Sequence, residues 1–303
     1  MKKILVTGAS GLVGSRFIEL FKGRYDFVTP EYPQFDLTNK EGVLKIVRSV
    51  NPDVIVNFAA YTNVSEAENH RGDKNPPSYK INVDGVKNLL EVLPQGSHFI
   101  QISTDNVFPG SKKDPGPYGE NHPIEYRAEE LCWYGYTKNL AEKEVVKKFG
   151  KDATILRLIY PSRAKFDLKS DYLRKPLSLF DEGKLYPMFN DQQVSISFVD
   201  SIAEALDKII EGGKRGIFHA SSEDTGTPFE IITYLLEKAR AVKNAVKPSS
   251  LAEFVKTVDN PVRYPKFGGL KVEKTEKELG IKFGNWKNIV DEFVGQLNSP
   301  SNT

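Results

Sequence analysis

Two tyrosine and lysine pairs stand at four-residue spacing, Tyr134 with Lys138 and Tyr234 with Lys238. On a helix this spacing puts both side chains on one face, where a lysine ammonium can stabilise a phenolate and lower a tyrosine pKa from ~10. A phenol tuned in this way is a usable general acid for a developing alkoxide. Context separates the two pairs. Tyr134 opens a helix that follows the strand end Ser103-Thr104-Asp105 and can face a cofactor crevice, whereas Tyr234 lies inside a late amphipathic helix and reads as packing. Thr104 adds a hydroxyl at a strand's C-terminal end, able to hydrogen-bond and polarise a carbonyl oxygen. Read alone, it is a β-branched strand residue and Asp105 is a turn former. His70, His98, His122 and His219 are scattered, so no metal site is expected. The one cysteine, Cys132, reads as a small buried residue beside Trp133.

A cofactor crevice requires elements to build it, and the first twenty residues, MKKILVTGASGLVGSRFIEL, supply them. Lys2 to Thr7 is β-branched and apolar, Gly8, Gly11 and Gly14 follow at three-residue spacing, and an apolar-periodic run starts at Leu12. This strand, glycine turn and helix lets a dinucleotide's pyrophosphate approach the backbone and the helix N-terminus. Phe27 to Thr29 reads as a second strand. Beyond it, Glu31 sits where an acidic side chain would bind a ribose 2′-hydroxyl and repel a 2′-phosphate, but Pro30 and Pro33 leave its direction open between NAD and NADP.

The run from Phe35 to Asp53 supplies a helix with Thr38 or Asn39 as N-cap and Val43, Ile46, Val47 and Val50 on one face. Asp53 to Phe58 is a continuously apolar strand, as expected when helices cover both faces of a parallel sheet. Ala59 and Ala60 follow it, either facing a ligand or leaving space for helix packing. Residues 61–78 read as a loop, Tyr79 to Leu93 as a helix, His98 to Ser103 as a strand and 106–133 as a long loop. A helix from Tyr134 to Lys148 and a strand from Thr154 to Leu158 follow. The alternation predicts an α/β, Rossmann-type, doubly wound parallel sheet over residues 1–158, with segments near 194–220 returning to it. Residues 159–303 are expected to form mainly a smaller C-terminal α/β substrate-binding region, whose last amphipathic helix spans Trp286 to Leu297.

The 303 residues allow a large core and one and a half to two domains. Lys and Arg total 42 against 40 Asp and Glu, a net charge of +2, which gives no reason to expect a nucleic-acid groove or a membrane patch. One cysteine excludes an intramolecular disulfide, and no apolar run approaches a membrane span, so a cytoplasmic protein is expected.

The glycine turn, Thr104 and Tyr134-Lys138 together make the chain resemble the extended short-chain dehydrogenase/reductase superfamily, and within it the dTDP-4-dehydrorhamnose reductase family. The matching stretches are TGASGLVG from Thr7, PDVIVNFAAYTNVSEAE from Pro52, Ile81-Asn82, STDNVFPG from Ser103, YGYTK from Tyr134 and RYPKFGGL from Arg263. The resemblance implies that Gly8, Gly11, Leu12, Val13 and Gly14 line the pyrophosphate of NADP(H) or NAD(H), and that Asp36 and Leu37 meet the adenine. It implies that Ala59, Ala60 and Tyr61 lie beside the ribose and nicotinamide. Tyr134 would protonate the substrate oxygen, Lys138 would hold the nicotinamide ribose and tune Tyr134, and Thr104 with Asp105 would touch the keto group. Tyr160 aligns with an aromatic residue that contacts the sugar, and Arg263 with the substrate-binding C-terminal motif.

The implied reaction is reduction of C4 of a nucleotide-linked 4-keto-6-deoxyhexose in deoxysugar biosynthesis. Asn106 stands where related dehydratases carry a Glu, and an amide cannot serve as that base. Tyr264 and Phe267 depart from the arginine and asparagine usual in the family, and tyrosine in place of the arginine loses charge complementarity to a diphosphate. The loop from Glu120 to Tyr134 is longer than usual. A sugar-nucleotide epimerase and a non-catalytic NADP-binding regulatory subunit are the alternatives. Superfamily members commonly form a homodimer through the helices near 79–93 and 134–148.

Overall fold

The β-branched N-terminal run forms strand β1 (Lys3–Thr7), which pairs in parallel with β2 (Asp26–Val28) on one side and β3 (Val54–Asn57) on the other. Parallel to β3 lies β4 (His98–Thr104), and β5 (Thr154–Leu158) and the strand Gly216–Ala220 complete a six-stranded sheet in the order β2-β1-β3-β4-β5 and Gly216–Ala220. The chain leaves β1 towards β2 and then returns to its other side, so the strand order reverses between β1 and β3. In an open sheet, ligands bind at such a reversal, beyond the carboxyl ends of the strands. Every residue of β3, β4 and β5 is buried, which is why these strands are not alternating patterns.

This computed structural model describes residues 1–124 and 126–300. Glu125, within the long loop expected from sequence, and residues 301–303, at the end of the expected C-terminal region, lie outside the described residues.

Helices Leu12–Phe21, Lys40–Val50, Gly85–Val92 and Trp133–Phe149 occupy the connections between successive strands from β1 to β5. Asn39 caps the second of these, its Oδ1 accepting from the Gly42 amide at 3.1 Å. Val43, Val47, Val86, Leu89, Ala141 and Val145 from these helices pack on Leu5, Ile55, Phe99 and Ile155 of the strands. Burying side chains of this kind, at about 1.5–3 kcal/mol each, supplies the drive for the layered arrangement.

The structure corrects the sequence reading in several places. Residues 61–78 contain helix Val64–Asn69 and the start of the short helical turn Pro77–Tyr79. Asn63 caps the former through the Glu66 amide, a signal hidden in a polar run too short to show periodicity. The expected Tyr79–Leu93 helix is interrupted by a wide π-turn at Lys80–Asp84 before Gly85–Val92. Beyond residue 160, helices Arg174–Asp181 and Glu273–Leu279 lie in stretches whose charges and prolines masked them.

The chain divides into two compact units, residues 1–108, 123–157 and 203–218 in the first and 109–122, 158–202 and 219–303 in the second. In the first, the end of helix Val199–Glu211 is tied back by Lys2, which donates to the Ile210 carbonyl at 2.5 Å, and by Tyr25, which donates to Asp207 at 2.6 Å. The second has its own core, in which Phe198, Leu235, Leu236, Trp286, Val290 and Phe293 join helices Pro228–Arg240 and Trp286–Asn298. Two short parallel strand pairs, Met188–Phe189 with Pro248–Ser249 and Pro161–Ser162 with Ser197–Phe198, complete it.

Candidate active site

The turn after β1 and the helix that follows require glycine at residues 8 and 14. Gly8 has φ +64°, and a β-carbon there would stand 2.8 Å from the Ala59 amide nitrogen; one on Gly14 would stand 2.7 Å from the Gly8 carbonyl oxygen. Gly11 begins helix Leu12–Phe21 without a side-chain cap, so the helix presents its first-turn N–H groups and positive dipole end. A glycine-lined turn at a helix N-terminus fits a pyrophosphate. Leu12 and Val13 form the first turn of that helix.

Glu31 is exposed beyond β2, its carbonyl accepting from the Phe35 amide at 2.9 Å. Asp36 turns its carboxylate back on the Thr38 amide and hydroxyl, both at 2.8 Å, and Leu37 is a buried member of the core. Ala59, Ala60 and Tyr61 are half-buried after β3. Asn82, in the π-turn, fixes this segment: its Oδ1 accepts from the Tyr61 amide at 2.7 Å while its Nδ2 donates to Thr137 Oγ1 at 2.9 Å. The Glu66 carboxylate, acting as acceptor toward the Tyr61 hydroxyl, pushes its pKa up to about 12.

At the end of β4, Thr104 caps the turn Asp105–Val107. Its hydroxyl donates to Asp105 Oδ1 at 3.0 Å and accepts from the Asn106 amide and side-chain Nδ2, both at 3.2 Å. Helix Trp133–Phe149 starts against this turn. Glu68 accepts from the Trp133 amide at 2.9 Å and Cys132 Sγ from the Gly135 amide at 3.3 Å, so two side chains cap the helix that carries Tyr134. Arg71, paired with Glu68, donates to the Ala128 and Leu131 carbonyls at 2.8 Å and clamps the approach to the helix. Cys132 is buried, as its surroundings suggested, and burial pushes its thiol up to about 12.

Burial, reinforced by the charge of Asp105, raises the Tyr134 pKa, while the hydrogen-bonding Thr104 hydroxyl opposes the shift. The phenol therefore holds its proton, in contrast to the lowering expected from Lys138. Lys138 is 3% exposed and donates to the Ile102 carbonyl at 2.7 Å. Burial pulls its pKa down to about 8, against Glu142, which raises it. Burial likewise pushes the Asp105 carboxyl up to about 6, opposed by its bonds to Thr104 and Asn106. Behind Lys138, Glu142 and Arg157 form a fully buried ion pair at 2.7 Å, with the guanidinium 4.9 Å from the Phe108 ring centre.

Thr104, Asp105, Tyr134 and Lys138 thus come together in the first unit, to which the glycine turn also belongs. Tyr160 and Arg263 belong to the second unit. Tyr160, two residues beyond the end of β5, has φ +42°, a strained conformation for a non-glycine residue, and stacks on Tyr172 at 4.3 Å. Arg263 lies in the turn Pro261–Arg263, its guanidinium 5.4 Å from the Tyr264 ring centre. The other pair has a different use: Tyr234 donates to Asp291 at 3.1 Å, Lys238 pairs with Asp291 at 3.1 Å, and the Tyr234 ring meets Trp286 edge-on at 5.6 Å. Tyr234 and Lys238 join two helices, as their place in the sequence suggested. Glu68, Asn82, Gly135 and Asn106 stood inside recognised stretches, but Arg71 and the Glu142–Arg157 pair gave no separate signal.

Comparison with known proteins matches residues 1–299 to the family described as RmlD substrate binding domain. The chain is 29% identical to the dTDP-4-dehydrorhamnose reductase of Aggregatibacter actinomycetemcomitans, over 96% of this chain and 97% of that protein. It is 27% identical to the spore coat polysaccharide biosynthesis protein SpsK of Bacillus subtilis, over 99% of each. Among solved structures, dTDP-4-dehydrorhamnose reductase from Bacillus anthracis in complex with NADP superposes with a TM-score of 0.82 at 25% identity, over 98% of this chain and 99% of that one.

Proposed function

The chain belongs to the RmlD substrate binding domain family, and on that premise we propose that it catalyses the NADPH-dependent reduction of the C4 keto group of a nucleotide-linked 4-keto-6-deoxyhexose, as its reductase relatives are named for. One observation carries this reading: at the carboxyl end of β4 the Asp105 charge and the Thr104 hydroxyl both act on the buried Tyr134 phenol, with Lys138 one helical turn further along the same helix. When bound, the reduced nicotinamide supplies hydride to the substrate carbon.

Gly8, Gly11, Leu12, Val13 and Gly14 would hold the pyrophosphate, Asp36 and Leu37 the adenine side, and Ala59, Ala60, Tyr61 and Lys138 the nicotinamide ribose. Tyr134, kept protonated by burial, gives its proton to the oxygen that becomes the alcohol. Thr104 must release Asp105 to donate to that oxygen, and the Asn106 amide, which keeps donating to both residues, holds the turn in place while it does. Because Asn106 is a donor here, it offers no base for expelling water. We assign Tyr160 and Arg263 to substrate binding. The reaction belongs in the cytoplasm, where reduced nicotinamide and sugar nucleotides are available.

The test is incubation with NADPH and dTDP-, GDP-, UDP- and CDP-linked 4-keto-6-deoxysugars, with nicotinamide absorbance and product NMR as readouts. Stoichiometric loss of absorbance with formation of the 4-hydroxy sugar is expected. Epimerised sugar without cofactor loss, or NADPH binding without turnover of any substrate, overturns the reading.

A further inference from the structure

The pairing register of the sheet places Thr7 of β1 beside Asn57 of β3, and Asn57 beside Gln101 of β4. All three side chains are buried, with 1% exposure or none, in a sheet layer whose neighbours are Val, Ile and Leu. Thr7 Oγ1 accepts from the Ala59 amide at 3.1 Å and donates to Asn57 Oδ1 at 2.5 Å. Asn57 Nδ2 donates to Gln101 Oε1 at 2.9 Å, and Gln101 Nε2 donates to the Ile102 carbonyl at 2.7 Å. That carbonyl also accepts from Lys138 at 2.7 Å. The row runs without a break from the residue before Gly8 to the lysine beside Tyr134.

Buried polar side chains cost stability unless bonded, and an apolar row would serve the sheet as well. The donors all point one way, so each bond polarises the next and the last N–H arrives on an oxygen already claimed by the ammonium. We propose that Gln101 is a positioning residue for Lys138: the Thr7–Asn57–Gln101 row ends on the carbonyl that holds the lysine, fixing where its Nζ sits and how firmly it keeps its proton. The proposal rests on the role given to Lys138 above.

The other charged groups on the elements around Lys138 are bound elsewhere. Glu142 on its own helix is paired with Arg157 of β5, and Asp105 at the end of β4 is bonded to Thr104 and Asn106. Lys87 of the neighbouring helix pairs with Asp84 and Glu144, and Glu68 holds Arg71 and the Trp133 amide. Gln101 is therefore the polar side chain that shares an acceptor with the ammonium.

Gln101→Met removes both of its bonds at nearly constant size, leaving the Ile102 oxygen to Lys138 alone. Gln101→Glu keeps an oxygen for Asn57 and adds a charge that favours the ammonium. NADPH affinity, measured by fluorescence titration across the alkaline range, reads the protonation of Lys138, and turnover with the best 4-keto sugar nucleotide is measured in parallel. The pH at which NADPH affinity falls is expected to move upward by about half a unit or more in Gln101→Met, and further in Gln101→Glu. kcat is expected to fall while the KM for the sugar nucleotide holds. Should Gln101→Met fail to fold, Gln101→Glu carries the test. An inflection at the wild-type pH in the folded variants, or no inflection in any protein, overturns the proposal. A moved inflection in a protein that reduces no sugar nucleotide leaves the role of Gln101 standing and refutes the substrate reading instead.

Discussion

Gly135 passes so close to Asn106 that a β-carbon on it would stand 2.0 Å from the Asn106 carbonyl oxygen and 2.8 Å from its carbon. The obstacle is backbone, so it cannot swing aside. Gly135→Ala should therefore push the start of the Tyr134 helix away from the Thr104–Asn106 turn. Overpacking of this kind costs about 1–3 kcal/mol, and a shift of about 1 Å between catalytic groups costs about 100-fold in rate. Thermal unfolding and kcat on the same preparation check it; full turnover in a folded Gly135→Ala protein would refute the close approach.

Tyr134→Phe removes the proton donor and little else. Losing a positioned acid typically costs about 10²–10⁴-fold, so kcat should fall by that amount while NADPH titration remains near wild type. A variant that keeps its turnover would shift the acid role to another group.

Asp105 gives a pH dependence whose sign follows from its surroundings. Burial raises its carboxyl from 3.8 to about 6, so the folded protein binds this proton more tightly than the unfolded chain. The resulting stabilisation is fully present below pH 3.8 and is lost as the pH rises through about 6. Denaturant midpoints taken between pH 4 and 8 should fall less steeply in Asp105→Asn, and parallel curves would contradict the assignment.

Glu142 and Arg157 are both fully buried, so removing one charge strands the other. Glu142→Gln should destabilise by about 3–5 kcal/mol, whereas the double replacement Glu142→Leu with Arg157→Met should recover most of the loss. Urea unfolding of the single and double variants measures the difference.

What could be read from the sequence was local or periodic. A β-branched run, three spaced glycines and an amphipathic stretch specify strand, turn and helix within about twenty residues, and β1, Gly8 and helix Leu12–Phe21 follow that order. Continuous apolar runs marked the doubly covered strands, and the setting of Tyr134 set it apart from Tyr234. Tertiary structure alone decided what depends on register and on distant approach. Glu68 caps a helix 65 residues later, and Asn57 reaches residues 50 and 44 positions away. Only the pairing of β1, β3 and β4 lines up Thr7, Asn57 and Gln101, and only the press of helix on turn makes glycine necessary at residue 135. Propensity and spacing act over a few residues, whereas these contacts arise once the sheet has fixed which distant segments lie side by side.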